Sequence, residues 1–314
     1  MIQQNATMKA VVCPKYGPPE VLTIKDLSKP SPNKDEVLVK AIASSVNTGD
    51  VRIRGLKVEG IMKIVMRVVL GFNKPRKPVL GTTFSGIVEQ VGDAVTRFKV
   101  GDEVYGATGF NQGCHAEYLS IPEKKVITKK PANASFEEAA ALPFGGQTAI
   151  YFLRKGGIEE INNPQVLIYG ATGSVGTAAV QIAKHYGANV TALCSSRGKE
   201  LAQGLGADSI ILYDQEDFTK VSDKFDIILD AVGKTSKKQC NSLLKPDGKF
   251  LSVEGMDIAS ERTEYLEFLR ELFESKHLNA VIDKVYPMEQ VVEAHKYVDT
   301  GRKKGNVVLK MAGN

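Results

Sequence analysis

The stretch "QVLIYGATGSVGTAAVQIAKHYG", residues 165 to 187, limits what this chain can fold into more than any other. An apolar strand pattern runs into Gly170, Gly173 and Gly176, and a segment of helical period follows at once. Val175, Ala178, Ala179, Ile182, Ala183 and Tyr186 fall on one face of that segment, which should pack on a sheet. A turn without side chains ahead of a helix N-terminus suits a pyrophosphate, because the backbone can approach it and the free N–H groups and helix dipole favour an anion. Ala171 occupies the place of the first glycine in the usual Gly-x-Gly-x-x-Gly, so the strand-turn-helix context carries the reading.

That context extends along the chain. After about Ser135, "EEAAALPF" and "QTAIYFLRKGG" read as two helices, and then strands alternate with helices. The strands are "QVLIYG", "NVTALCS", "SIILY", "FDIILDAVG" and "GKFLSV", which points to an α/β fold with an open, doubly wound parallel sheet. "SERTEYLEFLRELFESK" repeats Leu266, Leu269, Leu272 and Phe273 at helical spacing. Before Pro131 the pattern is different. Short alternating runs such as "KAVVC", "EVLVKAI" and "HAEYLSI", punctuated by Gly, Pro, Asn and Asp, predict a β-rich barrel or sandwich. The tail "GNVVLKM" is strand-like again and is expected to return to that first domain. The expected division is residues 1–130 with 279–314, and 131–278.

Charge and cysteine usage narrow the class. Residues 56 to 78 hold Lys57, Lys63, Arg67, Lys74, Arg76 and Lys77 against Glu59 alone, which accounts for the whole formal excess of +5. The rest of the chain is balanced, so the broad basic stripe of a nucleic-acid surface is absent. No apolar run reaches the length of a membrane span, and "MIQQNATMKA" lacks a signal peptide's apolar core, so a cytoplasmic location is expected. Cys13, Cys114, Cys194 and Cys240 lie far apart, as reduced, isolated thiols do.

The strand after the glycine turn ends in "CSSRGKE". An NAD-preferring site places Asp or Glu there to bind the ribose hydroxyls, and such a carboxylate would repel a 2′-phosphate. Ser195, Ser196, Arg197 and Lys199 would instead bind one, so the expected cofactor is NADPH. Solvated cations at a helix start are the plain alternative for Arg197 and Lys199.

With these features in place, the chain resembles the medium-chain dehydrogenase/reductase superfamily, and more narrowly its zinc-independent quinone oxidoreductase branch. "SSVNTGDVRIRG", "PVLGTTFSGIVEQVG", "VGDEVYG", "AALPFGGQTAI", "GATGSVGTAAVQIAK", "LLKPDGKF" and "EAHKYVDTGRKKGNVVL" occur in family order over nearly the whole length. The resemblance implies a GroES-like catalytic domain, a Rossmann domain and a cleft between them. It implies that Thr172, Gly173, Ser174 and Val175 form the phosphate turn, that Thr148, Val232 and Gly233 lie near the cofactor, and that Val253 lies by the nicotinamide. Tyr213 matches a position near the 2′-phosphate, and Asn47 matches the family's active-site asparagine. The implied reaction is hydride transfer from NADPH to a small hydrophobic quinone or α,β-unsaturated carbonyl. A zinc-independent NADP-dependent alcohol dehydrogenase and a catalytically silent NADPH-binding protein remain as alternatives. The stretch after "FLSVEG" is short where many relatives carry the strand that pairs two copies, which leaves monomer and homodimer both open.

In the zinc branch the skeleton of "GTTFSGIVEQVG" carries a His-Glu pair, here Thr82 and Thr83, and a cysteine ligand stands where this chain has Asn47 or a neighbour. A catalytic zinc needs about three ligands from Cys, His, Asp or Glu, so no metal is expected. Cys114 and His115 adjoin, but neighbours on a strand point to opposite faces. Asn47 could donate a bond to substrate or cap a turn. Asp50 and Arg54, four apart, are expected to pair as structural charges rather than act as acid and base. Residues 56–78 predict a helix on which Glu59, Lys63 and Arg67 form a narrow polar stripe. An apolar lip for a bulky substrate, a buried hinge helix with a solvated Lys/Arg edge, and a membrane-surface or acidic-partner contact are its three readings.

Overall fold

The computed structural model describes residues 6–56, 60–255 and 257–311, with the backbone alone for 60–63 and 65. Glu59, the Lys63 side chain and most of the N-terminal segment "MIQQNA" therefore lie outside the described residues. The chain forms two compact units, Met1–Pro143 with Ile282–Asn314, and Phe144–Val281. The first unit runs on to Pro143 where the change of pattern put the border at 130.

The first unit begins with the antiparallel pair β1 (Thr7–Val12) and β2 (Thr23–Ser28), followed by β3 (Glu36–Val46) and the helices α1 (Thr48–Gly55) and α2 (Gly60–Leu70). Strands β4 (Thr83–Val91), β5 (Glu103–Ala107), β6 (Tyr118–Pro122) and β7 (Ile127–Lys129) come next. Helix α3 (Phe136–Lys155) then leads into the second unit. Its sequence predicts two helices because Pro143 cannot donate to the carbonyl four residues back. The structure runs one helix through that proline.

The second unit holds β8 (Gln165–Tyr169), α4 (Ser174–His185), β9 (Asn189–Cys194), α5 (Lys199–Gly204), β10 (Ser209–Leu212), β11 (Phe225–Asp230), α6 (Lys237–Cys240), β12 (Leu244–Ser252) and α7 (Thr263–Glu274). Its five strands are all parallel in the order β10-β9-β8-β11-β12. Leu167, Leu193, Ile211, Phe225 and Ile228 come from four of them and form a buried cluster with Cys240 and Leu243. Chain order reverses between β8 and β11, so that sheet has its topological switch point there, outside the C-terminal strand ends.

The chain returns to the first unit through β13 (Ile282–Pro287), α8 (Val291–Asp299) and β14 (Asn306–Lys310). The tail pairs antiparallel with β3, Val307 opposite Val46, and completes a sheet in the order β13-β14-β3-β4-β5-β7, with β6 also on β3. Val37, Val39, Phe84, Val104, Ile127, Val307 and Leu309 alternate inward into one core. Helix α2 is not a buried hinge: Ile64, Val68 and Val69 are exposed. Among the described residues no helix is long and apolar enough to cross a membrane.

Candidate active site

In the second unit the glycine turn is built by close backbone approach. Gly170 follows β8 with φ +78°, where a side chain is strained, and a Cβ on it would meet Val232 Cγ1 at 2.4 Å. A Cβ on Gly176 would lie 2.1 Å from the Gly170 carbonyl oxygen, so the helix sits directly on the turn. Gly173 is the N-cap of α4, with no side chain capping it. The first-turn N–H groups of any helix lack intrahelical partners. Here they emerge from the C-terminal edge of the sheet beside the turn.

The loop after β11 completes that edge. Asp230 pairs in register with Tyr169 and Ser252, which puts Gly170, Ala231 and Val253 at one level. Its fully buried carboxylate accepts from the backbone N–H groups of Val232, Gly233, Lys234 and Thr235 at 2.8 to 3.2 Å, and from the Ser252 hydroxyl. Sequence reading singled out Val232 and Gly233 and missed Asp230, the residue that holds them. Thr148 turns its hydroxyl back to the Phe144 carbonyl at 2.7 Å, inside its own helix.

At the end of β9, Ser195 is half-buried while Ser196, Arg197 and Lys199 are exposed. Tyr213 is 46% exposed and packs edge-on against Tyr169. Ser196 is already engaged: its N–H and hydroxyl both donate to the Asp214 carboxylate, at 3.0 and 2.9 Å. A carboxylate from just past the end of the neighbouring strand β10 thus lies against Ser196, where sequence order gave no sign of it.

In the first unit Asn47 is the N-cap of α1 and 2% exposed. It forms a capping box with Asp50, accepting from the Asp50 N–H at 3.2 Å while its own N–H donates to Asp50 Oδ2 at 2.9 Å. With Oδ1 committed to the helix, the amide group must face the other way, and Nδ2 donates to Thr82 Oγ1 at 2.7 Å. Asn47 thus caps α1, and its amide N–H group is directed at Thr82. Thr82 Oγ1 accepts that bond, and among the described residues its own proton has no acceptor. Thr83 differs: fully buried, its hydroxyl donates to the Ala140 carbonyl at 3.0 Å and meets Ser45 Oγ at 2.7 Å. It is a strand-packing residue.

Over 96% of its length the chain is 35% identical to the 2-methylene-furan-3-one reductase of Solanum lycopersicum, covering 79% of that protein. This chain belongs to the medium-chain dehydrogenase/reductase superfamily, in its quinone oxidoreductase-like branch. It is an oxidoreductase. The alcohol dehydrogenase GroES-like domain matches residues 33–132, and the zinc-binding dehydrogenase domain matches 174–282, with a second model of that description at 256–309. The NADPH-dependent alkenal/one oxidoreductase of Arabidopsis thaliana chloroplasts is 32% identical over 96% of this chain and 79% of its own. The quinone oxidoreductase structure from Coxiella burnetii superposes with a TM-score of 0.87 at 30% identity, covering 97% of this chain and 99% of that one. The two units are thus a GroES-like domain and a Rossmann domain of this superfamily.

An amide and a hydroxyl, Asn47 and Thr82, are bonded to each other, and neither is among zinc's usual ligands. Cys114 Sγ contacts Thr108 Oγ1, and His115 Nε2 contacts the Ser45 carbonyl.

Behind this pair lies a buried polar cluster. Arg54 does not pair with Asp50 as its spacing suggested. Its guanidinium is fully buried and donates to Asp299, to the Gly17 carbonyl and to His295 Nδ1, because helical spacing is outweighed by packing on α8. Burial holds His115 down at about 4, and burial with the neighbouring His115 and Arg54 holds His295 well below its ordinary value. Burial pushes Asp50 up to about 7. The two histidines are neutral when folded and gain a proton on unfolding below about 6.5, so they cost stability as the pH falls toward 4. Asp50 acts in the opposite sense between 3.8 and about 7, since only the unfolded chain ionises there. Asp50→Asn removes that opposing slope. The acid loss of stability between pH ~4 and ~6.5 should steepen by about 1.4 kcal/mol per pH unit, read from urea midpoints across that range.

Proposed function

We propose that this protein reduces quinones or α,β-unsaturated carbonyls with NADPH and without a zinc. The observation that carries the reading is the direct Asn47–Thr82 hydrogen bond, which leaves the Thr82 proton to be donated. Zinc stabilises an alkoxide as a Lewis acid, so alcohol oxidation loses several kcal/mol without it. An electron-poor enone or quinone needs less help: fixed hydrogen-bond donors suffice for the oxyanion that develops as hydride arrives. Bound NADPH supplies the hydride from C4 of its nicotinamide. Thr82 donates to the substrate oxygen, Asn47 fixes the direction of that donation, and solvent protonates the product. The names of the Solanum and Arabidopsis relatives support the same substrate class.

The glycine turn from Gly170 to Gly176 and the first turn of α4 fit a pyrophosphate, and Asp230 sets the 232–235 loop beside it. Ser195, Arg197 and Lys199 hold the 2′-phosphate, with Tyr213 alongside, while Asp214 works against it. Charge-assisted hydrogen bonds contribute about 1.5–3 kcal/mol each, so Arg197→Ala should lower the NADPH/NADH ratio of kcat/KM roughly ten- to hundredfold. Asp214→Ala should raise it. An unchanged ratio in both variants would remove the assignment of this corner to the 2′-phosphate. The deciding assay follows NADPH absorbance with a panel of quinones and enones, beside NADP+ with primary and secondary alcohols. Turnover is expected in the first arm, and turnover confined to the second would overturn the proposal.

A further inference from the structure

Helix α2 and the turn after it present an apolar face where a surface helix ordinarily carries charge. Met66 and Leu70, one turn apart, pack into the core of the first unit. Ile64 and Val68, also one turn apart, lie on the opposite side and are 62% and 50% exposed. Val69 and Phe72, 52% and 60% exposed, extend the patch. Four of the ten exposed large apolar side chains among the described residues fall within these nine positions, so this is one continuous surface rather than scattered exposure.

The charge along this segment is mostly positive, with Glu59 just ahead of the helix. From Gly60 to Val88 the sequence holds Lys63, Arg67, Lys74, Arg76 and Lys77 and neither Asp nor Glu. Arg67, Lys74, Arg76 and Lys77 are exposed, and none of them forms an ion pair among the described residues. Lys77 donates to the neutral Asn111 side chain at 2.9 Å. A second copy meeting this face about a two-fold axis would set these cations against themselves. An anionic, apolar-cored partner suits both features, and a convex helix crest with flanking cations matches a planar interface better than a groove.

We propose that this face docks on an anionic lipid surface. Ile64, Val68, Val69 and Phe72 enter the boundary between headgroups and acyl chains, and Arg67, Lys74, Arg76 and Lys77 lie among the phosphates. The contact is peripheral and reversible. It brings a reductase of hydrophobic substrates to the phase in which such compounds concentrate, but it stands independently of which substrate the enzyme reduces.

Co-sedimentation of the full chain tests it, using vesicles of phosphatidylcholine alone and with about one third phosphatidylserine. Binding is expected to the mixed vesicles, and K74Q/R76Q/K77Q should weaken it about hundredfold, as should high salt. Ile64→Ser with Val68→Ser and Phe72→Ser should abolish it while leaving the thermal midpoint and NADPH oxidation unchanged, which separates docking from folding. No sedimentation of the folded protein with mixed vesicles overturns the proposal. Binding that survives the serine variant, or that is equal on both vesicle types, overturns it as well. Concentration-dependent dimerisation lost in the serine variant, without vesicle binding, assigns the face to a second copy instead.

Discussion

Replacing Gly176 by valine is expected to eliminate measurable NADPH binding and to destabilise the Rossmann unit at the same time. The first atom of any side chain there would lie 2.1 Å from the Gly170 carbonyl oxygen and 2.7 Å from Ala171 Cα. Both are backbone atoms, so no flexible side chain can move aside, and helix α4 must lift off the turn. Overpacking of this kind costs about 1–3 kcal/mol or more, and it displaces the N–H groups that the pyrophosphate needs. Gly173→Ala provides the contrast. Its φ is −83°, open to any residue, and an added Cβ would meet only the Gly170 oxygen at 3.6 Å. That variant should unfold at the wild-type temperature yet bind NADPH at least about tenfold more weakly, because the methyl group occupies the approach of the phosphate. Thermal melts and a fluorescence titration with NADPH separate the two. A Gly173→Ala protein that binds NADPH like the wild type would show that the dinucleotide does not lie against this turn.

The turn was legible in the sequence because everything that shapes it is local. Strand, glycines and helix follow one another within about two dozen residues, and the 3.6-residue period after Gly173 is a direct imprint of packing on the sheet. The first unit's strands were legible as alternation, down to the tail whose Val307–Leu309 run pairs with β3. Contacts made by side chains far apart in sequence were not legible. Asp230 looks like the end of an apolar strand, and only the register beside Tyr169 and Ser252 turns its carboxylate to four backbone N–H groups. Asp214 lies 18 residues beyond Ser196, on a different strand end, and its bond to Ser196 emerges only when β10 is laid beside β9. Arg54 shows a local rule overruled: four residues from Asp50 on a helix, it prefers Asp299, 245 positions away, because burial of a guanidinium demands several acceptors together. The exposed crest of α2 was ambiguous for the same reason, since composition gives its apolarity but not which side meets the core.

Thr82→Val is expected to lower kcat/KM for an enone or quinone about hundredfold while leaving the NADPH dissociation constant unchanged. Valine keeps the shape and branching of threonine and removes only the hydroxyl, so the variant asks whether that proton is used. Thr82→Ser should restore most of the rate, because it restores the donor. Asn47→Ala should also lose rate, and it should lose about 1 kcal/mol of stability besides, since its side chain caps α1. If Asn47 acts by aiming the Thr82 hydroxyl, the two losses are not independent: with the hydroxyl absent, removing the amide should cost the reaction little more. Thr83→Val supplies the control. Its hydroxyl is spent on Ala140 and Ser45 in the strand interior, so stability should fall by about 1–3 kcal/mol with kcat retained. Full loss in Asn47→Ala with wild-type turnover in Thr82→Val would place the donor on the asparagine itself. Retention of activity in both would mean that the oxyanion is stabilised elsewhere, and that the Asn47–Thr82 bond only joins α1 to the start of β4.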